Sequence, residues 1–104
     1  MQQPSVIELQ GRIDHLTSPA IETRISSALD AAPTALVLDF TAVTFVSSIG
    51  LRMMLMAAKR CRKQNAKIAL HSVPPQIVEL LRMSALTAFF SIHADRESAL
   101  AAIA

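Results

Sequence analysis

Cysteine and aromatic side chains are scarce in this 104-residue sequence. Cys61 is the only cysteine, and the four aromatic residues are all phenylalanine, with no Trp or Tyr. A single cysteine cannot form an internal disulfide, so we expect a fold that needs none and a protein that works in a reducing cytoplasm. Cys61 lies on the apolar side of a predicted helix, which favours a buried core residue over a nucleophile.

Long apolar runs and a leader segment are also missing. No stretch is long enough for a membrane helix, and the chain does not open with basic residues followed by an apolar run, so no secretory signal is expected. Hydrophobic residues nevertheless make up 52% of the chain and charged residues 17%. Because there is no linker, repeat or low-complexity segment, this composition predicts one compact domain over residues 1–104.

Positive charge is concentrated in one part of the sequence, although the formal net charge is only +2. The cluster consists of Arg52, Lys59, Arg60, Arg62, Lys63 and Lys67. No Trp or Tyr interleaves with these residues as a base-stacking platform would require, so direct nucleic-acid binding is not expected. A solvated helix face is the favoured interpretation, and an acidic protein or a membrane surface is the alternative partner.

Strand and helix signals alternate along the chain. Apolar and polar residues alternate over 6–10, Gly11 interrupts, and extended structure resumes over 12–14, which suggests a hairpin or a bulge. Further strands are predicted over 35–40, 67–71 and 89–93. Helices are predicted to begin at Ser18 and Pro19, at Ser48, at Pro74 and Pro75, and after Asp95. This order predicts an α/β fold in which a mixed, mostly parallel sheet packs with about four helices.

The helix predicted over residues 48–64 has apolar residues on two sides. At about 100° per residue, one stripe is expected to face the sheet and consists of Leu51, Met54, Ala58 and Cys61. Almost opposite lie Ile49, Met53 and Met56, with Arg60 among them. Packing on a single sheet would leave these three in water, so we predict that Ile49, Met53 and Met56 contact a partner. The alternative is that another segment covers them, either the loop from Phe45 or the C-terminal helix.

Paired serines separate a strand from this methionine-rich helix in the sequence DFTAVTFVSSIGLR, which runs from Asp39 to Arg52. Ser48 is a candidate modification site, because it would lie beside unpaired N–H groups and the positive end of the helix dipole. Local chemistry alone favours a simple N-cap role for Ser48, with Gly50 allowing close packing of the first turn. One glycine is too few for a nucleotide-binding loop, and Gly-x-Ser-x-Gly, the hydrolase pattern, is not matched.

The segment over residues 35–51 resembles the signature of STAS domains of the anti-sigma factor antagonist family in its Asp-Phe-Thr spacing and its Ser-x-Gly-Leu ending. Residues 11–14, Gly-Arg-Ile-Asp, are similar to the family's Gly-x-Leu/Ile-Asp segment, and the order of elements agrees along the whole chain. In that family the serine two residues before the glycine accepts phosphate, and this position corresponds to Ser48. Ser47 stands where many members have aspartate, which makes Ser47 the second candidate for the phosphorylated hydroxyl.

The resemblance implies a binding module, not an enzyme, with no cofactor. The unphosphorylated form would bind an anti-sigma factor or related serine kinase of the GHKL ATPase type, phosphorylation would release it, and a PP2C-type phosphatase would reset the switch. Asp14 would lie near Ser48 and contact the partner, with a turn-capping role as the alternative. Ser47, Gly50 and Arg52 complete the expected partner-binding set, and Arg52 lies one helical turn beyond Ser48.

Two other classes of function remain open. A small STAS protein also resembles the accessory subunit of a membrane lipid ABC transporter, in which the helix after the motif would grip an ATPase and the serine need not be phosphorylated; the basic helix favours this alternative. A small enzyme would need acid–base groups, and the candidates are His15, His71 and His93. They occur singly, without metal-ligand spacing or an adjacent acid on the same element, so structural or exposed roles are favoured and no metal is expected.

Overall fold

Four strands and four helices alternate along residues 3–104. The structure is a computed structural model that describes residues 3–104. Its elements are β1 (Ser5–Ile13), α1 (Ser18–Asp30), β2 (Ala35–Val46), α2 (Ser48–Lys63), β3 (Lys67–His71), α3 (Pro75–Met83), a short 3₁₀ turn (Thr87–Phe89), β4 (Ser91–His93) and α4 (Arg96–Ile103). The predicted α/β class and the order of elements are confirmed. The predicted domain start and the expectation about a secretory signal concern Met1 and Gln2, which lie outside the described residues.

The sheet has the strand order β1-β2-β3-β4, and each neighbouring pair is parallel. The expected mostly parallel sheet is therefore parallel in every pair that the structure describes. Parallel neighbours need a crossover connection, which α1, α2 and α3 supply. As a result, all four strands end at the same edge of the sheet, and the loops that follow them lie together there. Within residues 3–104, no helix has both the length and the apolar content to cross a bilayer.

Strand β1 pairs irregularly with β2. The register shifts between Glu8 and Gln10 and again between Gly11 and Arg12. Gly11 has a φ of +70°, which glycine adopts without the steric cost of a Cβ atom. Of the two predicted alternatives, the structure has the bulge-type irregularity, because β1 continues parallel to β2 instead of turning back as a hairpin.

Helices cover both faces of the sheet, but unequally. The larger core lies between the sheet and helices α1, α2 and α3, and includes Ile7, Leu9, Ile21, Ile25, Leu29, Leu36, Leu38, Phe40, Met54, Cys61, Leu70, Ile77 and Leu81. The smaller core lies under α4 and consists of Ala35, Val37, Ala69, Ala99 and Ile103. Because alternate residues of β2 face the two cores, residues 35–40 are buried on both sides, as the sequence predicted.

The prediction that Met53 is exposed is wrong, since only 4% of Met53 is accessible. Helix α1 packs beside α2, and Ile25 and Ser26 of α1 line the same groove as Met53, so we assign the covering to α1 and not to the loop from Phe45 or the C-terminal helix. Arg60 fixes the two helices together: its guanidinium donates to Ser26 Oγ at 2.8 Å and to Asp30 Oδ1 at 2.6 Å. Met54, Ala58 and Cys61 are buried and Leu51 is partly buried, as expected for the stripe that faces the sheet.

Helix α1 begins one residue differently from the prediction. Thr17 occupies the N-cap position and Ser18 is the first helical residue, with Pro19 following it. The Thr17 hydroxyl does not cap the helix but donates to the backbone oxygen of Arg12 at 2.7 Å. Its function is therefore to hold the turn between β1 and α1.

Candidate functional site

Ser47 and Ser48 lie at the edge of the sheet where β2 ends and α2 begins. The backbone N–H of Ser47 donates to the carbonyl oxygen of Ile13 at 2.9 Å, and Ile13 pairs with Val46 in the sheet. This hydrogen bond joins the end of β1 to the start of α2. Asp14, which follows Ile13 directly, is thereby brought next to the paired serines. The two sequence motifs that carry the family resemblance therefore meet at one place.

Ser47, and not Ser48, is the N-cap of α2. Ser47 has the extended backbone that an N-cap requires, and its Oγ accepts a hydrogen bond from the Gly50 N–H at 3.1 Å. The local interpretation of Ser48 as the cap is therefore wrong, because Ser48 already has helical geometry as the first residue of α2. Ser48 is exposed. The two hydroxyls thus differ: one holds the helix terminus, and the other is presented to solvent.

Gly50 is buried against the end of β1. A Cβ atom at this position would lie 2.7 Å from the carbonyl oxygen of Ile13 and 2.9 Å from Cγ1 of Val46, both too close. Glycine therefore allows the first turn of α2 to approach the two strands. This burial supports a packing role for Gly50, and a partner contact by Gly50 remains a prediction.

Asp14 holds the turn between β1 and α1. Its Oδ1 accepts hydrogen bonds from the backbone N–H groups of Leu16 at 3.0 Å and Thr17 at 3.3 Å, and Arg12 Nε lies 3.4 Å from Oδ2. Burial alone would raise the pKa of Asp14, but the two backbone hydrogen bonds and the Arg12 guanidinium together lower it. The carboxylate is thus held ionised by its own turn. This geometry favours the turn-capping alternative, and a partner contact by Asp14 remains a prediction.

Large apolar side chains are exposed on the elements that meet at Ser48. They are Leu16 in the β1–α1 turn, Phe45 near the end of β2, and Ile49 and Met56 on α2. The Arg12 guanidinium lies 4.2 Å from the centroid of the Phe45 ring and covers one of its faces. Exposed apolar groups that lie close together are typical of a protein-binding surface. Leu16 is not among the residues predicted for the site, although an apolar residue within the polar turn Asp-His-Leu-Thr-Ser indicates an exposed contact.

His71 is the most deeply buried of the three histidines considered for catalysis, and it belongs to a structural network. Its Nδ1 lies 2.8 Å from Ser72 Oγ and 3.9 Å from Asp39 Oδ1, while its Nε2 faces Arg96 Nε at 3.4 Å. In a nucleophile–base–carboxylate relay, the hydroxyl and the carboxylate contact opposite ring nitrogens. Here both lie at Nδ1, so the arrangement does not match that relay. Nor do any three His, Cys, Asp or Glu side chains among residues 3–104 lie together as metal ligands would.

Asp39 is the centre of this network. Arg96, the first residue of α4, donates to Asp39 Oδ2 at 2.8 Å, and the N–H and hydroxyl of Thr41 donate to Oδ1 at 2.8 and 2.5 Å. Burial would raise the pKa of Asp39, but the hydrogen bonds from Thr41 and Arg96 and the nearby His71 outweigh it and lower the pKa. The network therefore fixes the start of α4 on the second face of the sheet.

The parallel sheet, the helix capped by serine after β2 and the full set of elements define a STAS domain. The chain belongs to the STAS domain family, whose model matches residues 2–99. BtrV of Bordetella bronchiseptica, which carries the name of an anti-sigma factor antagonist, is 29% identical over 94 residues, covering 90% of this chain and 81% of BtrV. The resemblance drawn from the sequence is thus confirmed.

Two solved structures show the same fold. An anti-sigma factor antagonist from Mycobacterium paratuberculosis has a TM-score of 0.88 and 27% identity, with 99% of this chain and 87% of that chain covered. The cell fate determinant SpoIIAA from Bacillus, in its phosphorylated form, has a TM-score of 0.77 and 23% identity, with 100% of this chain and 94% of that one covered. The second likeness shows the fold alone.

Proposed function

We propose that this chain is an anti-sigma factor antagonist that acts as a phosphorylation-controlled partner switch. In its unphosphorylated form it binds an anti-sigma factor that is a serine kinase of the GHKL type. Phosphorylation of Ser48 releases the kinase, and a PP2C-type phosphatase restores the binding form. The proposal rests mainly on the exposure of Ser48 at the start of α2, beside a second serine whose hydroxyl is engaged as the helix cap. The relative named as an anti-sigma factor antagonist supports this class of partner.

The phosphoryl transfer requires only an accessible hydroxyl from this chain. As the Ser48 Oγ–P bond forms, the bond between the γ-phosphorus of ATP and the bridging oxygen breaks, ADP leaves, and the hydroxyl proton passes to a base of the kinase. The product adds about −1.5 to −2 charges and three strong acceptor oxygens. At the first position of a helix, negative charge interacts favourably with the helix dipole, so the free protein tolerates the phosphate. Among the apolar side chains of Leu16 and Ile49, a partner would have to bury it at a high desolvation cost.

Phosphosite mapping after incubation with a GHKL serine kinase and ATP tests the proposal. We expect Ser48→Ala to abolish labelling. The matched control is Ser47→Asn, which removes the neighbouring hydroxyl but supplies another good N-cap side chain and should be labelled like the parent. Phosphate found only on Ser47, or normal labelling of Ser48→Ala, would overturn the assignment.

The alternative as an accessory subunit of a membrane lipid ABC transporter makes no use of the exposed hydroxyl. Titration of the kinase with Ser48→Asp separates the two functions, because a carboxylate at this position carries part of the charge of a phosphate. We expect Ser48→Asp to bind the kinase at least tenfold more weakly than the parent. Equal binding, together with copurification of a transporter ATPase, would favour the transporter.

A further inference from the structure

We infer that the outer face of α2 docks against an acidic protein surface. This basic face of α2 is formed by Arg52, Lys59 and Lys63, which follow Ser48 along the helix. The inference rests on the proposed function for the identity of the partner, the kinase. It goes beyond that function in naming the chemistry by which the partner is recognised.

The exposed side of α2 carries charge of one sign. At 100° per residue, Ser48 and the three residues of the basic face fall within about 60° of one another around the helix axis, and all four are exposed. Helix α2 contains five of the ten basic residues of the chain and none of its eight acidic residues. Within residues 3–104, Arg60 is the one basic residue of α2 that has an acidic partner, Asp30 of α1.

Helix stability explains this charge pattern only in part. Lys63 lies in the last turn, where a cation interacts favourably with the negative end of the helix dipole. Arg52 lies near the opposite end, where a cation is unfavourable, and the first turn of α2 has no acidic residue to offset it. Lys59 and Lys63 are four residues apart, a spacing at which like charges on a helix surface repel each other. An acidic partner would relieve both costs.

An acidic protein fits the basic face better than a bilayer or a nucleic acid does. Most apolar residues of α2, such as Met53, Met54 and Cys61, are already buried against the sheet and α1, which leaves only Ile49 and Met56 exposed, too few for a face that inserts into a membrane. Ile49 and Met56 lie along one side of the basic face and are exposed, which provides the apolar contact that a protein interface uses. No aromatic side chain lies on α2 to stack with bases.

Phosphorylation would act through the same charges. Ser48 and Arg52 are four residues apart and therefore neighbours on the helix surface. A phosphate on Ser48, with about −1.5 to −2 charges, would neutralise the end of the basic face that is nearest to the switch. The phosphate and the acidic groups of the partner would thus compete for the same cation, which favours release of the partner.

Charge reversal at Lys59 tests the docking surface without touching the phosphoacceptor, since Lys59 lies about 16 Å along the helix from Ser48. The matched control is Lys67→Glu, which makes the same charge change at the exposed start of β3. We expect Lys59→Glu to raise the Kd for the kinase about tenfold in 50 mM salt, with a smaller difference in 500 mM salt. Lys67→Glu should change the Kd less than about twofold, as expected for a charge outside the interface.

A poly-glutamate peptide provides a probe that does not depend on the kinase. In NMR titrations, we expect amide shift changes concentrated in residues 48–63 of the parent, weakened in Lys59→Glu and in Ser48→Asp. Any of three results would overturn the inference. They are amide shift changes spread evenly over the chain, equal kinase binding by Lys59→Glu and the parent, and equal losses of kinase binding in Lys59→Glu and Lys67→Glu. So would binding of the parent to phosphatidylglycerol vesicles that Lys59→Glu abolishes.

The failures of the docking inference and of the proposed switch can be distinguished. If Ser48 is labelled while Lys59→Glu binds the kinase normally, the docking inference fails and the proposed switch stands. If no kinase labels Ser48, the proposed switch fails and the peptide titration still decides the docking surface.

Discussion

A Cβ atom on Gly50 would lie 2.7 Å from the carbonyl oxygen of Ile13, closer than packed atoms tolerate. The same carbonyl oxygen accepts the N–H of Ser47 at 2.9 Å. The last residue of β1 therefore contacts the first turn of α2 at two points on either side of Ser48. The position of the exposed hydroxyl is set by strand β1 as much as by the strand that precedes it in the chain.

We expect Gly50→Ala to destabilise the domain. Alanine in a helix is ordinarily better than glycine by about 1 kcal/mol, but the clash with Ile13 should cost about 1–3 kcal/mol and outweigh this gain. The other glycine provides the control: at Gly11 the space around a Cβ is open, and only the φ of +70° opposes a side chain. Gly11→Ala should therefore cost about 1 kcal/mol through the backbone alone. Urea unfolding measures both, and a Gly50→Ala protein as stable as the parent would show that the strands simply move aside.

Replacing Ser47 should destabilise the protein more than replacing the exposed Ser48. Ser47→Ala removes the side chain that accepts the Gly50 N–H, and loss of such a cap typically costs about 1 kcal/mol. Ser48→Ala changes an exposed residue and should stay within about 0.5 kcal/mol of the parent. Chemical denaturation of the two variants compares them directly. Equal losses would mean that Ser47 does not cap the helix in solution.

Two methionines about one turn apart on α2 should differ in how much an aspartate in their place lowers the stability of the protein. Met53 is 4% exposed and Met56 is 56% exposed. Met53→Asp would bury an unpaired carboxylate between α1, α2 and the sheet, and we expect it to cost about 3 kcal/mol or more. Met56→Asp should stay within about 0.5 kcal/mol. Thermal melts distinguish the two, and a folded, stable Met53→Asp protein would contradict the packing of α1 over α2.

Stability in acid should depend on Asp39. Its pKa is lower in the folded protein than the ordinary value of 3.8, so the network with Thr41 and Arg96 stabilises the fold above that pH, and this stabilisation is lost as the pH falls through the lower folded value. Asp39→Asn should cost about 1–3 kcal/mol at pH 7, because it removes the closer of the two carboxylates that Arg96 contacts and leaves only Glu8, whose Oε2 lies 3.5 Å from the guanidinium.

The pH dependence provides the measurement. Between about pH 5 and pH 2, the unfolding free energy of Asp39→Asn should fall less steeply than that of the parent. Some slope remains in the variant, because hydrogen bonds to their carboxylates also lower the pKa values of Asp14 and Asp95. Identical slopes in the two proteins would mean that the carboxylate of Asp39 gains nothing from the network.

The sequence predicted the positions of strands and helices better than it predicted which of them pack against one another. Strand β3 was predicted over the residues that form it, 67–71, because a short apolar run between polar residues is typical of a buried strand in an α/β fold. The last strand was predicted over 89–93, but β4 covers Ser91–His93 and a 3₁₀ turn precedes it, since apolar composition alone does not distinguish a strand from a turn.

In the candidate site, too, local features were predicted correctly more often than contacts between elements. Periodicity correctly assigned Met54 to the sheet-facing side of α2, but it cannot reveal that α1 lies against the adjacent side and covers Met53. Capping depends on the backbone angles of single residues, so local chemistry wrongly placed the cap at Ser48, whereas Ser47 is extended and Ser48 is helical. The Asp39 network joins residues 57 positions apart, a pairing that only the folded sheet creates.

The burial of the single cysteine makes the protein convenient for fluorescence work. Burial raises the pKa of the Cys61 thiol to about 11, so at neutral pH the thiol is both protonated and inaccessible to maleimide dyes. A cysteine introduced in place of exposed Met56 would therefore be labelled alone, with the native residue left untouched. A dye there would sit on the surface through which α2 is inferred to meet its partner. Association and release could then be followed in real time, in a chain that differs from the parent at one position.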